Sequence, residues 1–183
     1  MRLRSVATQW TTVLVLLIAV AVIARCKPEW ISTEVATRTD GGYHAIDGDS
    51  FSIGQSEIRL YGIDAPEYRQ PCTDASGADV RCGRMARDAL SKLIAGQNVK
   101  CRSIERDRYG RQVSICRTGT IEINREMVRL GWAIAYRKHA LDYVSAEREA
   151  KAAKRGIWAM RFETPQDYRN RNRAVEGNLI KDE

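Results

Sequence analysis

Residues 57–67 read EIRLYGIDAPE, and few folds accommodate such a stretch. Ile58 and Leu60 alternate with Arg59 and Tyr61, the period of a strand with one face in a core, so a guanidinium must leave from the other face. Gly62 then relaxes the backbone, and Asp64 and Glu67 set two carboxylates around Pro66, which fixes the local φ. A second acidic turn, Asp47-Gly48-Asp49-Ser50, lies upstream between two short apolar runs. A third, Asp107-Arg108-Tyr109-Gly110-Arg111, lies downstream and ends basic. Acids and arginines gathered in the turns between strands suit a hard cation and a phosphate.

The segments around this stretch are short and closely punctuated. Tyr43 to Ile46, Phe51 to Ile53 and Ile58 to Leu60 alternate apolar and polar residues, with turns at Asp40-Gly41-Gly42, at the DGDS motif and at Gly54-Gln55. A further strand is expected over residues 31–37. Such a meander of short strands is the pattern of a small barrel or sandwich. Residues 68–83 are polar and aperiodic and read as a long loop beside the carboxylates. No internal repeat is visible.

Helices are expected in the second half. From Arg84, the residues Met85, Ala89, Leu90, Leu93 and Ile94 fall on one face, and Gly96 ends the run. Asn124 has the chemistry of an N-cap for a short helix closing at Gly131. Residues 140–154 read as a longer helix with Leu141 and Val144 inward and a Glu147–Lys151 pair at i,i+4 on the surface. Residues 161–183 are polar and basic, either a frayed tail or an arm that binds phosphate.

With 183 residues the chain has room for one core, and the 30 basic against 23 acidic residues leave a net charge of +7. That balance favours a polyanionic partner, nucleic acid or an anionic membrane surface. His44 and His139 are the two histidines, with no cysteine at ligand spacing, which argues against a His/Cys zinc site. Residues 1–26 carry Arg2 and Arg4 ahead of an apolar run from Val13 to Ala24, the pattern of a signal peptide or of an uncleaved membrane anchor. Both place the domain outside the reducing cytoplasm, periplasmic, secreted or membrane-anchored. Residues 27–34 read as a linker into a domain over 35–160.

The five cysteines fit that compartment. Cys72 and Cys82 bracket one loop, and Cys101 and Cys116 another, consistent with two disulfides; five reduced, buried cysteines are the alternative. The midpoint of the second pair falls between Arg108 and Tyr109, so a hairpin turning there sets Cys101 opposite Cys116. Its closed loop would stabilise by roughly 3 kcal/mol. Cys26 is left over, free or paired between chains; a monomer is expected.

The candidate chemistry follows from the three turns. Asp49 and Asp64 come from separate turns, as ligation of a cation requires, with the Ala65 carbonyl and Asp47 able to contribute; oxygen donors favour calcium over zinc. Glu67 sits where a general base could activate water toward phosphorus. Arg59 and Arg111 come from different strands and could converge on one phosphate. The ordinary alternatives are turn chemistry for Asp-Gly-Asp and exposed strand arginines for Arg59 and Arg111.

In this order, IDGDS, IRLYGIDAPE, DRYGR, INREMVRLGWA and AKAAKRGIW resemble the staphylococcal nuclease-like (thermonuclease) family, over residues 35–158. The resemblance implies an α+β fold, mainly β: an OB-fold, a five-stranded β-barrel with three packed helices. It implies calcium-dependent hydrolysis of DNA and RNA phosphodiesters leaving 3′-phosphate ends. Carried onto this sequence, the calcium ligands fall at Asp49, Asp64 and the Ala65 carbonyl, the base at Glu67 and the phosphate arginines at Arg59 and Arg111. Tyr109 and Tyr136 are the counterparts of aromatic residues that stack on the nucleotide. Ser50 and Ala65 depart from the threonines usual there, the DRYGR hairpin is shortened, and the chain near Tyr136 is one residue out of step. A catalytically silent OB-fold module that binds nucleic acid is the competing expectation, and an envelope structural protein a third.

Overall fold

The structure is a computed structural model and describes residues 42–138 and 140–179. The apolar N-terminal run, the strand expected over 31–37, Cys26 and His139 lie outside the described residues. The strands are β1 (Tyr43–Ala45), β2 (Ser50–Ile53), β3 (Ser56–Leu60), β4 (Ile63–Asp64), β5 (Cys72–Thr73), β6 (Asp79–Val80), β7 (Val99–Arg106), β8 (Gln112–Thr118), β9 (Ile121–Glu122) and β10 (Ile134–Ala135). The helices are α1 (Cys82–Ile94), α2 (Ile123–Arg129), α3 (Val144–Ala152) and α4 (Pro165–Leu179), with a 3-10 turn at Gly156–Ala159.

The main sheet runs β1-β2-β3-β8-β7, with β9 added to β8. Its neighbours are antiparallel except β3 and β8, which run parallel. The alternation of β2 and β3 buries Phe51, Ile53, Ile58 and Leu60 on one face. The sheet curls until its two edges meet: the Tyr43 hydroxyl of β1 donates to the Val99 carbonyl of β7 at 3.3 Å and accepts from the Val99 N–H at 3.1 Å. A curled sheet around the main core, with helices packed on it, is the α+β OB-fold expected, with four helices among the described residues in place of three.

The hairpin turns where the cysteine midpoint put it. Cys101 faces Cys116 across β7 and β8, and the two are bridged. Cys72 and Cys82 are bridged as well, and the loop between them pairs as the short β5–β6 hairpin.

Several helix expectations are corrected. The inner arc of α1 is Cys82, Gly83, Ala86, Leu90 and Ile94, and Met85 is exposed. Gly83 sets that rotation: a Cβ on it would stand 1.8 Å from the Glu67 carbonyl oxygen, so only glycine lets the helix start against this backbone. Residues 140–143 form turns instead of helix, which leaves Leu141 exposed and gives its core position to Tyr143. Asn124 caps nothing. It lies inside α2, fully buried, where its Oδ1 accepts from the Cys116 N–H at 3.0 Å and its Nδ2 donates to the carbonyls of Tyr61 at 2.9 Å and Ser114 at 3.0 Å.

Glu147 is buried and accepts from the Ala135 N–H at 3.1 Å and from the Arg137 guanidinium, so it braces β10 and does not pair with Lys151. Lys151 sits over the Trp158 ring at 4.8 Å. The polar segment after residue 161 is the helix α4. Thr164 is its cap: its hydroxyl donates to Asp167 at 2.6 Å and accepts the Asp167 N–H at 3.2 Å, and Pro165 opens the helix.

Candidate active site

Two buried acids form the base of the site. Asp49 follows the turn into β2, where the Asp47 Oδ1 accepts the Asp49 N–H at 3.0 Å and the Ser50 hydroxyl at 2.8 Å. Asp64 ends β4, which pairs with β10 in the register Ile134↔Asp64. Gly62, at φ +73°, makes the turn between β3 and β4, and a Cβ there would meet Tyr143 at 2.7 Å. Asp49 and Asp64 are 2% and 1% exposed, and the Ala65 N–H donates to Asp49 Oδ2 at 2.9 Å.

Arg59 joins these acids. One guanidinium nitrogen donates to Asp49 at 2.7 Å and the other to Asp64 at 3.0 Å. Burial pushes the Asp49 carboxyl well above the usual range, opposed by the Arg59 charge; the charges of Asp47 and Asp64 add to the upward push, and the Ala65 N–H works against it. The Asp49 charge in turn raises Arg59 above its ordinary value. With Asp49 accepting on both oxygens, its charge depends on Arg59 standing beside it.

Asp47, Arg59, Glu67, Tyr109, Arg111 and Tyr136 line one cleft of about 600 Å³, joined by Glu57 and Arg108. Asp49, Asp64 and Ala65 are buried behind Arg59. Arg111 reaches the cleft from the hairpin turn, donating to Asp107 at 2.7 Å and to Glu57 at 3.4 Å. Burial works against its charge; the Asp107 hydrogen bond raises it, and the nearby Arg59 charge opposes it. Tyr109 is 69% exposed at the hairpin tip, with Arg108 at 4.9 Å and Arg111 at 5.6 Å from its ring centre. Tyr136 is half-buried, its N–H on the Gly62 carbonyl at 2.9 Å.

The sequence reading missed Arg169. It reaches in from α4 and donates to both oxygens of Asp64, at 3.0 Å each, and to Glu67 at 2.8 Å. Burial opposes its charge, but the hydrogen bonds to Asp64 and Glu67 raise it above the ordinary arginine value. Gln166, Asn170 and Arg173 line the same cleft from the same helix. The signal was present: Thr-Pro-x-Asp is a capping signature, and 166, 169, 170 and 173 recur at i, i+3, i+4 and i+7.

The donor set suits a hard cation, because two buried carboxylates already draw two guanidiniums to one place. Among the described residues no three acidic, histidine or cysteine side chains gather as a ready metal cage. A cation there would rest on two carboxylates completed by backbone and water oxygens.

Fold and cleft together define an OB-fold protein with an acid and arginine site at the mouth of its curled sheet. Residues 57–160 match the family described as "Staphylococcal nuclease homologue", and the chain belongs to that family. It is 37% identical over 121 residues to the succinoglycan biosynthesis protein ExoI of Rhizobium meliloti, covering 64% of this chain and 63% of that protein. It is 33% identical over 147 residues to the probable staphylococcal-like nuclease CAN3 of Oryza sativa, covering 78% of this chain and 36% of that protein. An uncharacterized endonuclease of Haemophilus influenzae is 31% identical over 147 residues, covering 79% and 75%. The chain thus spans less than two thirds of the length of the first two.

Proposed function

We propose that this chain is an endonuclease: a calcium-dependent phosphodiesterase that hydrolyses DNA or RNA with low sequence specificity and leaves 3′-phosphate ends. The observation that carries it is the meeting of Glu67, Arg59 and Arg111 in one cleft above two buried acids. A module that only binds nucleic acid has no use for a carboxylate where a phosphate would lie, since its charge repels the ligand. The family's match and the endonuclease names among its relatives support the same reading.

In this reading Glu67 orients a water toward phosphorus and takes its proton. Arg59 and Arg111 meet the charge that builds on the phosphoryl oxygens, and planar guanidiniums suit that task by donating in pairs. Asp49, Asp64 and the Ala65 carbonyl, with Asp47 at the cleft surface, would hold calcium, which would supply positive charge beside the same oxygens. Asp64 has both oxygens on Arg169, so a cation at Asp64 must exchange with that guanidinium. Tyr109 and Tyr136 offer rings on which bases can stack whatever their sequence. Contacts to phosphates carry no base information, which is why low specificity is expected.

Work outside the reducing cytoplasm is part of the proposal, and the two disulfides support it. No helix among the described residues is long and apolar enough to cross a membrane. The test is product chemistry: a labelled single-stranded oligonucleotide is digested with calcium, and the fragments are offered to a polymerase as primers. Fragments that prime only after phosphatase treatment carry 3′-phosphates, as proposed; fragments that prime at once contradict it.

A further inference from the structure

The helix α4 lies along the cleft with more polar groups than the acids require. Arg169 is committed to Asp64 and Glu67, but Arg173, one turn further on, has no ion-pair partner among the described residues. Arg108, also in the cleft lining, lies over the Tyr109 ring at 4.9 Å and has no ion-pair partner among the described residues. By contrast Arg171, absent from the cleft lining, is paired with Glu163 at 3.0 Å. The helix thus pairs its outer arginine, while its inner one has no anion among the described residues.

The helix is also held firmly where it starts. Gln70, fully buried, donates to the Glu163 carbonyl at 2.7 Å, and Thr73 and Arg161 exchange two backbone hydrogen bonds at 2.8 Å each. The strand bearing Thr73 begins at Cys72, bridged to the first residue of α1. A polar helix with no apolar stripe is being fixed over the cleft by specific polar contacts and a disulfide-bonded loop.

Resting on the nuclease reading above, we propose that the inner face of α4 is a second phosphate-binding wall. Arg173, with Asn170 beside it, takes a backbone phosphate of a single strand next to the one held at Arg59 and Arg111. Arg173 stands about 6 Å along the helix axis beyond Arg169, clear of the acids that Arg169 binds. Arg108 and Tyr109 line the same cleft, so the strand would meet guanidiniums from both the helix and the hairpin, with Tyr109 to stack its bases. The occupant is a single strand, because exposed bases are what an aromatic ring at the cleft can stack on.

The test is fluorescence anisotropy of a labelled single-stranded oligonucleotide in chelator, titrated at several salt concentrations. The proteins are the full chain, Arg173→Ala, Arg173→Lys and, as a control on the outer face, Arg171→Ala. One lost phosphate contact lowers the slope of log affinity against log salt by about 0.7. Arg173→Ala should show that drop and bind about tenfold more weakly at low salt; Arg173→Lys should restore the slope, and Arg171→Ala should match the parent. An unchanged slope and affinity in Arg173→Ala, with the parent still binding, overturns the second wall and leaves the nuclease reading standing. A parent protein that binds no oligonucleotide also overturns the second wall, and the nuclease reading then stands or falls on cleavage with calcium.

Discussion

Asn124 separates a capping role from a structural one by a measurable margin. As a helix cap, its replacement by alanine would cost about 1 kcal/mol, and by aspartate almost nothing, since the two residues cap equally well. In the structure its side chain instead ties β8 to the residue before Gly62: Oδ1 receives the Cys116 N–H, and Nδ2 serves the Tyr61 and Ser114 carbonyls. Ser114 keeps the Tyr61 N–H at 2.8 Å, so its carbonyl is not left bare by the substitution. The loss then falls mainly on the Cys116 N–H and the Tyr61 carbonyl. At about 1 to 3 kcal/mol for a buried group deprived of its partner, the Cys116 N–H carries most of the loss and the half-buried Tyr61 carbonyl adds less, so Asn124→Ala should cost about 2 kcal/mol.

Asn124→Asp should cost as much or more, because it removes the donor and buries a charge. Against a typical total of about 5 to 15 kcal/mol, such losses shift a urea midpoint visibly. The assay is urea unfolding of the oxidised protein, followed by tyrosine and tryptophan fluorescence, with the slope m checked for constancy. Asn124→Asp within about 0.5 kcal/mol of the parent would refute the strut and restore the cap. Because the Tyr61 carbonyl precedes the turn that delivers Asp64, the damaged variant should also lose activity.

Other expectations follow from the same contacts. Burial works against the Asp107 carboxylate, but hydrogen bonds from the Arg111 side chain and backbone hold its pKa below the usual value. A depressed carboxyl contributes stability that is present above the unfolded value near 3.8 and is lost as pH falls through the folded one. NMR titration should find Asp107 below 3.8, moving up in Arg111→Gln; a midpoint at or above the ordinary value would contradict the pairing. Gly83→Ala would drive a methyl into the Glu67 carbonyl, so it should destabilise by about 2 kcal/mol or more and lower activity; parent-like urea and kinetic curves would count against that contact. Arg169→Gln frees Asp64 Oδ2 and leaves Oδ1 to Arg59 alone, so calorimetry should show calcium bound more tightly than by the parent, and weaker binding would show that Arg169 does not contest the ion.

Much of the site was legible because it is built from local signals. Arg59 and Asp64 are carried by one strand, one glycine turn and a strand of two residues, and each step has its own sequence mark. The hairpin register could be read from two cysteines equidistant from a turn, and Cys101 does face Cys116. What escaped depends on contacts remote in sequence. Asn124 reads as a cap until Tyr61 is known to lie beside it, 63 residues away. Leu141 lost its place because the helix starts four residues later than its periodicity suggests, and Tyr143 fills the core. The helix α4 has no apolar face to reveal it; its capping residues were the readable sign, and Arg169 reaches Asp64 across 105 residues.

The central claim is that the cleft hydrolyses phosphodiesters, and the most direct measurement is the cleavage rate of single-stranded DNA by the oxidised protein and by Glu67→Gln, each with calcium and with chelator. The account predicts cleavage by the parent that requires calcium and falls by about 10² to 10⁴-fold in the variant, the usual worth of a positioned acid or base. Equal rates in parent and variant, or no cleavage by the folded parent at any calcium concentration, would contradict it.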